Sequence, residues 1–381
     1  MKLPLKGITI LEFSQYLSGP CSGLRLADMG ARVIKIERPG KGDAGRQLAI
    51  ENLWVDESSL LFHTINRNKE SVTADLKNPD DLAFVKQLIK QADVITHNFR
   101  PGVMETLGFD YASVQKINPA IIYTEISGYG KKGPWKHKPG QDLLTQAVSG
   151  LAYSSGNKHA DPVPFGLAIS DYLCGNQAVQ AILAALIRRH KTGKGAFLEL
   201  SLLESLLDFQ FEFLTTYFET NQQHQRSEIN NGHSLLSAPY GIYQTADGYI
   251  AVAMMPLKKL NATIQCKALE KFTEEELFKK RDEIKAILSA YFKNATTEAL
   301  LQKMQVHDLW VMPVLNWNQL MESSTYQALN IEQELMVGGK RIKTTRCPIR
   351  YNKQYFLSDK PAPKLGEHTD EIKVTLVKNT Q

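Results

Sequence analysis

The sequence predicts an α/β fold: a mostly parallel sheet with helices on both faces. Strand and helix signals alternate through the first third of the chain. The strands there read as apolar runs such as Ile8-Thr9-Ile10-Leu11-Glu12-Phe13, the texture of strands covered on both sides. A length of 381 residues adds the expectation of two domains.

Taken in order, Ile8 to Phe13 is the first strand, and Ser18-Gly19-Pro20 opens a helix with Pro20 suited to its first position and Gly30 closing it. Val33-Ile34-Lys35-Ile36-Glu37 is the second strand, and Ser71 to Asp75 is extended. Asn78 caps a helix whose Leu82, Val85, Leu88 and Ile89 share a face. Asp93 to Thr96 and Ala120 to Thr124 are two more strands. Helices follow over Asp142–Gly150, Tyr172–His190 and Ser201 to about Thr220, with the strand Ala196–Leu200 between the last two. Gly248 to Ala253 reads as a strand, and Thr273 to Lys285 as a charged surface helix, Glu-rich at its start and Lys-rich at its end. Residues 1–220 with the tail 338–381 are expected to form a large domain, and 221–337 a smaller one.

Composition narrows the function. The 43% hydrophobic content supports a packed core. Cys21, Cys174, Cys266 and Cys347 lie far apart without a C-x-x-C pair, which suits reduced thiols and no metal site. No signal-peptide core and no apolar run near the roughly 18 residues of a membrane span is present, so a cytoplasmic protein with no membrane partner is expected. A net charge of +5 is too mild for a nucleic-acid binder; it suits a small polyanion pocket, or ordinary solvated lysines, equally well.

In parallel sheets ligands sit at the carboxyl ends of the strands. The loops there carry Ser14-Gln15-Tyr16, Arg38, Lys77, Asn98-Phe99-Arg100 and Ser127-Gly128-Tyr129-Gly130. Cations, amides and rings of this kind fit a phosphorylated nucleotide. No G-x-G-x-x-G follows the first strand and no G-x-x-x-x-G-K-[ST] occurs, so dinucleotide and P-loop readings lose their main support. Asp171, in Gly166-Leu167-Ala168-Ile169-Ser170-Asp171, stands before an apolar helix and is open to two readings: a helix cap, or a carboxylate held in a partly dry site.

Leu5-Lys6-Gly7-Ile8-Thr9-Ile10-Leu11-Glu12-Phe13, Ser18-Gly19-Pro20 and Asp28 through Pro39 together form one set of ordered blocks. Asn66-Arg67-Asn68-Lys69, Asn98-Phe99-Arg100-Pro101-Gly102, Ser127-Gly128-Tyr129-Gly130, Asp171 and His190 through Gly195 continue it. Over residues 5–205 the chain resembles the class III (family III) CoA-transferases, which include formyl-CoA transferase, carnitine CoA-transferases and α-methylacyl-CoA racemase.

The resemblance implies a Rossmann-like large domain, a smaller α+β domain and an interlaced, interlocked-ring homodimer. It implies acyl-CoA and a small carboxylic acid as substrates, with no tightly bound cofactor. Asp171 then matches the nucleophilic aspartate, and Leu17, Ser18, Arg38, Leu76, Lys77, Asn98, Phe99, Arg100, Lys138, Gln141 and Asp142 match positions along coenzyme A. Two departures bear on the reaction. Gly140-Gln141-Asp142 stands where the racemases carry Gly-His-Asp, and a glutamine cannot act as the second base. Asn230 to Pro239 stands where some transferases have a glycine-rich lid, yet holds one glycine; Leu235 and Leu236 are candidates for an acyl pocket or for core, and His233 for a carboxylate contact or a plain loop position.

Overall fold

The computed structural model describes residues 3–378. By packing, the chain separates into two compact units, Met1–Thr145 with Ala168–Phe209 and Asn330–Gln381, and Gln146–Leu167 with Gln210–Leu329. The expected helix from Ser201 to Thr220 is in fact two, Leu202–Phe209 and Phe211–Thr220, interrupted at Gln210, where the units divide.

The first unit holds a six-stranded sheet: β1 (Thr9–Glu12), β2 (Arg32–Glu37), β3 (Glu70–Thr73), β4 (Val94–His97), β5 (Ile122–Ser127) and β6 (Ala196–Ser201). Every pairing is parallel and the order is β3-β2-β1-β4-β5-β6. That is the doubly wound order, whose direction of progression reverses between β1 and β4. Successive residues of a strand face opposite sides, and the core divides accordingly. Leu11, Ile34, Val72, Ile95 and Tyr123 pack on one face against Val85, Leu88 and Ile89 of α2 (Pro79–Gln91). Ile10, Val33, Val94 and Ile122 pack on the other against Leu26 and Ala27 of α1 (Ser18–Asp28) and Val179, Ile182 and Ala185 of α4 (Ile169–Thr192). Asn78 caps α2 as the sequence predicts, accepting from the Asp80 and Asp81 N–H groups. Pro20 falls at the third position of α1 rather than the first; its missing N–H is harmless anywhere in that opening turn.

Glu12 and Lys35, on the α1 side of β1 and β2, are buried charges that pair. Lys35 Nζ lies 3.0 Å from Glu12 Oε1 and 2.7 Å from Asp43 Oδ2. Lys69 Nζ sits 3.0 Å from both Glu12 oxygens and donates to the Pro20 carbonyl at 2.9 Å. A charge taken out of water is tolerated only when paired and hydrogen-bonded, and this cluster meets both conditions. It braces the opening turn of α1 from below. The tail closes on β3, where Ser71 Oγ accepts from the Gly366 N–H at 2.9 Å.

The second unit contains an antiparallel sheet of β7 (Gly241–Gln244), β8 (Tyr249–Val252) and β9 (Val311–Pro313), with β8 central. Tyr243, Ile250 and Val252 pack against Ile284, Leu288 and Phe292 of a helix over Arg281–Phe292, here α5. The expected surface helix over Thr273–Lys285 is not formed. A 3-10 turn, Glu274–Glu276, precedes α5, and Lys285 is 0% exposed because loop oxygens draw its ammonium inward. Among the described residues no helix is long and apolar enough to cross a membrane.

Candidate active site

The carboxyl ends of β1 and β4 adjoin at the reversal of strand order, and the Asn98 amide ties them together. Asn98 Oδ1 accepts from Gln15 N at 2.8 Å, and Nδ2 donates to Gln15 O at 2.7 Å. The same Nδ2 reaches Ser18 Oγ at 3.5 Å. Ser18, buried at the first position of α1, presents its hydroxyl and its N–H to the Asp171 carboxylate.

Asp171 is not a cap. Helix α4 begins at Ile169, three residues before the expected Tyr172, so Asp171 lies inside its first turn, and the N-cap residue is Ala168, without a side-chain hydrogen bond. The donor that a cap would serve is taken by another residue. Asp142, at the start of α3 (Asp142–Val148), accepts from the Ser170 N–H and from the Ser170 hydroxyl, both at 2.7 Å. Thr145 Oγ1, 2.8 Å from Ser170 Oγ, completes the joint between the two helices. Asp171 is thereby released from capping.

Glycines set how closely these pieces meet. A Cβ added to Gly175, one turn beyond Asp171, would lie 2.6 Å from Ser18 O, so α1 and α4 touch through bare backbone. One added to Gly128 would lie 2.5 Å from Gly140 Cα, which seats Gln141 and Asp142 against the end of β5.

The electrostatics follow from this packing. Burial pushes the half-buried Asp171 carboxyl up to about 6, the Asp142 carboxylate adds to that, and the Ser18 hydroxyl and N–H pull it partway back. Such a group is ionised at neutral pH yet incompletely solvated, which favours attack on an electrophilic carbon. Burial pushes the neighbouring Cys21 thiol up to about 11, so it stays protonated and is no rival nucleophile.

The other sequence-predicted positions fall around this centre with different partners. Leu17 is the half-buried N-cap of α1. Arg38, Lys77 and Arg100 are exposed beyond the carboxyl ends of β2, β3 and β4. Leu76 and Phe99 pack partly on the core, Phe99 stacking on His97 at 6.2 Å. Lys138 and Gln141 are exposed in the loop between β5 and α3. The amide of Asn98 is committed to Gln15 rather than turned outward. Sequence reasoning did not find the roles of Asp43, Gly175 and the Lys69 brace; the signal for the brace and Asp43 was the pair of charges, Glu12 and Lys35, inside apolar strands.

In the second unit, the segment from Ser227 to Ser234 is held by one helix. Lys285 Nζ donates to Ser227 Oγ at 2.9 Å and to Asn230 O at 3.1 Å, Arg281 to Ser234 O at 2.6 Å, and Asp282 accepts the Glu228 N–H at 2.8 Å. His233 stacks on Phe213 and meets Glu212 Oε2 at 3.1 Å. Leu235 and Leu236 are half-buried.

The chain is similar to known proteins over most of its length. The family described as CoA-transferase family III matches residues 5–369. Succinyl-CoA:glutarate CoA-transferase of Mus musculus is 32% identical over 380 residues, spanning 97% of this chain and 85% of the relative. Acetyl-CoA:oxalate CoA-transferase of Acetobacter aceti is 38% identical over 247 residues, 65% of this chain and 62% of that protein. A CAIB/BAIF family protein from Brucella suis has a similar structure, with a TM-score of 0.84 at 28% identity over 99% of this chain and 100% of that one. Matched over nearly its whole length, the chain belongs to CoA-transferase family III, a family of enzymes.

Proposed function

We propose that this enzyme moves coenzyme A from an acyl-CoA to a carboxylic acid through covalent intermediates on Asp171. The observation that carries the reading is the Asp171 carboxylate itself: freed from capping by Asp142, half-buried, raised to about 6 and facing the Ser18 donors. A carboxylate oxygen attacks the thioester carbonyl, the C–S bond breaks, and CoA thiolate leaves an aspartyl–acyl anhydride. The thiolate then attacks the aspartyl carbonyl, giving an aspartyl-CoA thioester and releasing the donor's acid as carboxylate. The acceptor carboxylate attacks that thioester to form a second anhydride and free thiolate. Thiolate attack on the acceptor's acyl carbon yields the new acyl-CoA and restores Asp171. No proton or electron is left over. Each step is easier than direct exchange because the reactants are held together and partly dried. The N–H and hydroxyl of Ser18 supply donors for developing negative charge.

Arg38, Lys77, Arg100 and Lys138 are offered as the cations for the CoA phosphates, with Leu17, Leu76, Phe99 and Gln141 along the nucleotide and pantetheine. Asn98 and Asp142 support this path through Gln15, Ser18 and Ser170. Residues 1–220 with 338–381 act in this reading as the CoA-binding domain and 221–337 as the smaller domain, within an interlaced homodimer of the cytoplasm. The relatives' names, succinyl-CoA:glutarate and acetyl-CoA:oxalate, favour a short dicarboxylic acid as one substrate. Gln141 favours acyl transfer over epimerisation, since it cannot exchange a Cα proton.

The test incubates the enzyme with a panel of acyl-CoAs and acids, follows CoA exchange by mass, and traps the intermediate with hydroxylamine. Exchange and an Asp171 hydroxamate in the native chain, both lost in Asp171→Ala, are expected. Exchange undiminished in Asp171→Ala would sink the mechanism.

A further inference from the structure

Tyr16 is the one aromatic residue among the described residues whose backbone lies in the left-handed region, at φ +62°. There a Cβ crowds the following carbonyl, which is why glycine is the usual occupant. Three side chains enforce the turn. Asn98 grips both backbone groups of Gln15, Asp43 Oδ1 accepts the Tyr16 N–H at 3.0 Å, and Lys35 Nζ donates to Ser14 O at 2.7 Å. Asp43 and Lys35 are buried and paired with each other, so the frame is rigid.

What this frame presents is an exposed ring. Tyr16 is 52% exposed, and among the described residues its hydroxyl has no hydrogen-bond partner and its ring no aromatic neighbour. Backbone strain kept at an exposed ring points to a functional site. The ring stands two residues before Ser18, whose N–H and hydroxyl face Asp171.

We propose that Tyr16 determines which acid this enzyme accepts, its ring flanking the acyl group carried on Asp171 and its hydroxyl donating to a second polar group of that acid. The assignment rests on Asp171 as the acyl-carrying residue. A phenol on an apolar ring suits an acid with a distal carboxylate, because the ring covers the methylenes while the hydroxyl meets the charge. Glycine at the same position would relax the turn and remove both contacts.

The experiment compares native enzyme, Tyr16→Gly and Tyr16→Phe. With one acyl-CoA donor, kcat/KM is measured for succinate, glutarate, butyrate and pentanoate, while hydroxylamine trapping reports the Asp171 intermediate. The ratio of dicarboxylate to monocarboxylate of equal length is expected to fall about tenfold or more in Tyr16→Gly, with Tyr16→Phe losing the same preference and keeping the ranking by chain length. Far-ultraviolet circular dichroism and a cooperative melt show that both variants fold. An unchanged ratio, or all four acids weakened by one common factor, overturns the assignment of Tyr16 alone if native enzyme still traps at Asp171. A native enzyme with neither exchange nor trapping overturns the Asp171 reading and this one with it.

Discussion

Asp142 accepts the Ser170 N–H at 2.7 Å, so a carboxylate from one helix caps the start of another. The consequence falls on the next residue, Asp171, which keeps its own carboxylate unspent and feels a second negative charge nearby. Asp142→Asn retains an oxygen to accept from Ser170 and removes that charge. The Asp171 pKa should then drop from about 6, and the acid limb of the kcat/KM profile should move to lower pH with it. Asp142→Ala should instead cost about 1 kcal/mol of stability, because the Ser170 donor loses its acceptor. A pH–rate profile and urea unfolding of both variants check the two halves.

A raised carboxyl carries a cost in the folded state. The folded value of about 6 exceeds the ordinary 3.8, so the folded chain holds this proton more tightly than the unfolded chain. Stability falls as pH rises from about 4 to about 6, and the cost is fully present above that window. Asp171→Asn, which cannot ionise, should be more stable than the native chain at pH 8 by roughly 1–3 kcal/mol. The gain should vanish near pH 4, where the native carboxyl is protonated. Urea unfolding at the two pH values measures it.

Much of the parallel sheet was legible because its strands are short apolar runs bounded by polar turns, and Asp171 stands out as a candidate because it lies among ordered motif blocks. The use of Asn98 was not. Its partner Gln15 lies 83 residues away, brought beside it only by the order β1-β4 within the sheet. The start of α4 was misplaced because its cap is supplied by Asp142, from another element, and no local cap residue marks it. Lys285 looked like a solvated lysine on a charged helix; what draws it inward is a set of loop oxygens more than 50 residues distant, which carry no sequence signal.

Gly175 tests how tightly Ser18 must be held against Asp171. A methyl group there would meet Ser18 O at 2.6 Å, and the neighbour is backbone, unable to swing aside. Gly175→Ala should force α1 away from α4 and cost about 1–3 kcal/mol, despite alanine's better helix propensity. Because the Ser18 donors move with α1, kcat/KM should fall by about 100-fold. A variant that is destabilised but fully active would show that Ser18 need not sit where it does.

Lys285 holds the segment from Ser227 to Asn230 with an ammonium that faces neutral oxygens, while Arg281 nearby disfavours its charge and Asp282 favours it. Burial is the larger influence and lowers the amine to about 8 from its ordinary 10.5. The unfolded chain therefore binds this proton more tightly, and between about pH 8 and 10.5 stability should rise with pH as the burial cost is relieved; below pH 8 the cost is fully present. Lys285→Met removes that slope and also the two donors, leaving Asn230 O unpaired. Hydrogen exchange of the amides from Ser227 to Ser234 should accelerate about tenfold or more in the variant, since each lost buried hydrogen bond weakens local protection by about 1–3 kcal/mol. Retained protection together with a retained alkaline slope would mean that Arg281 and Asp282 hold the loop without Lys285.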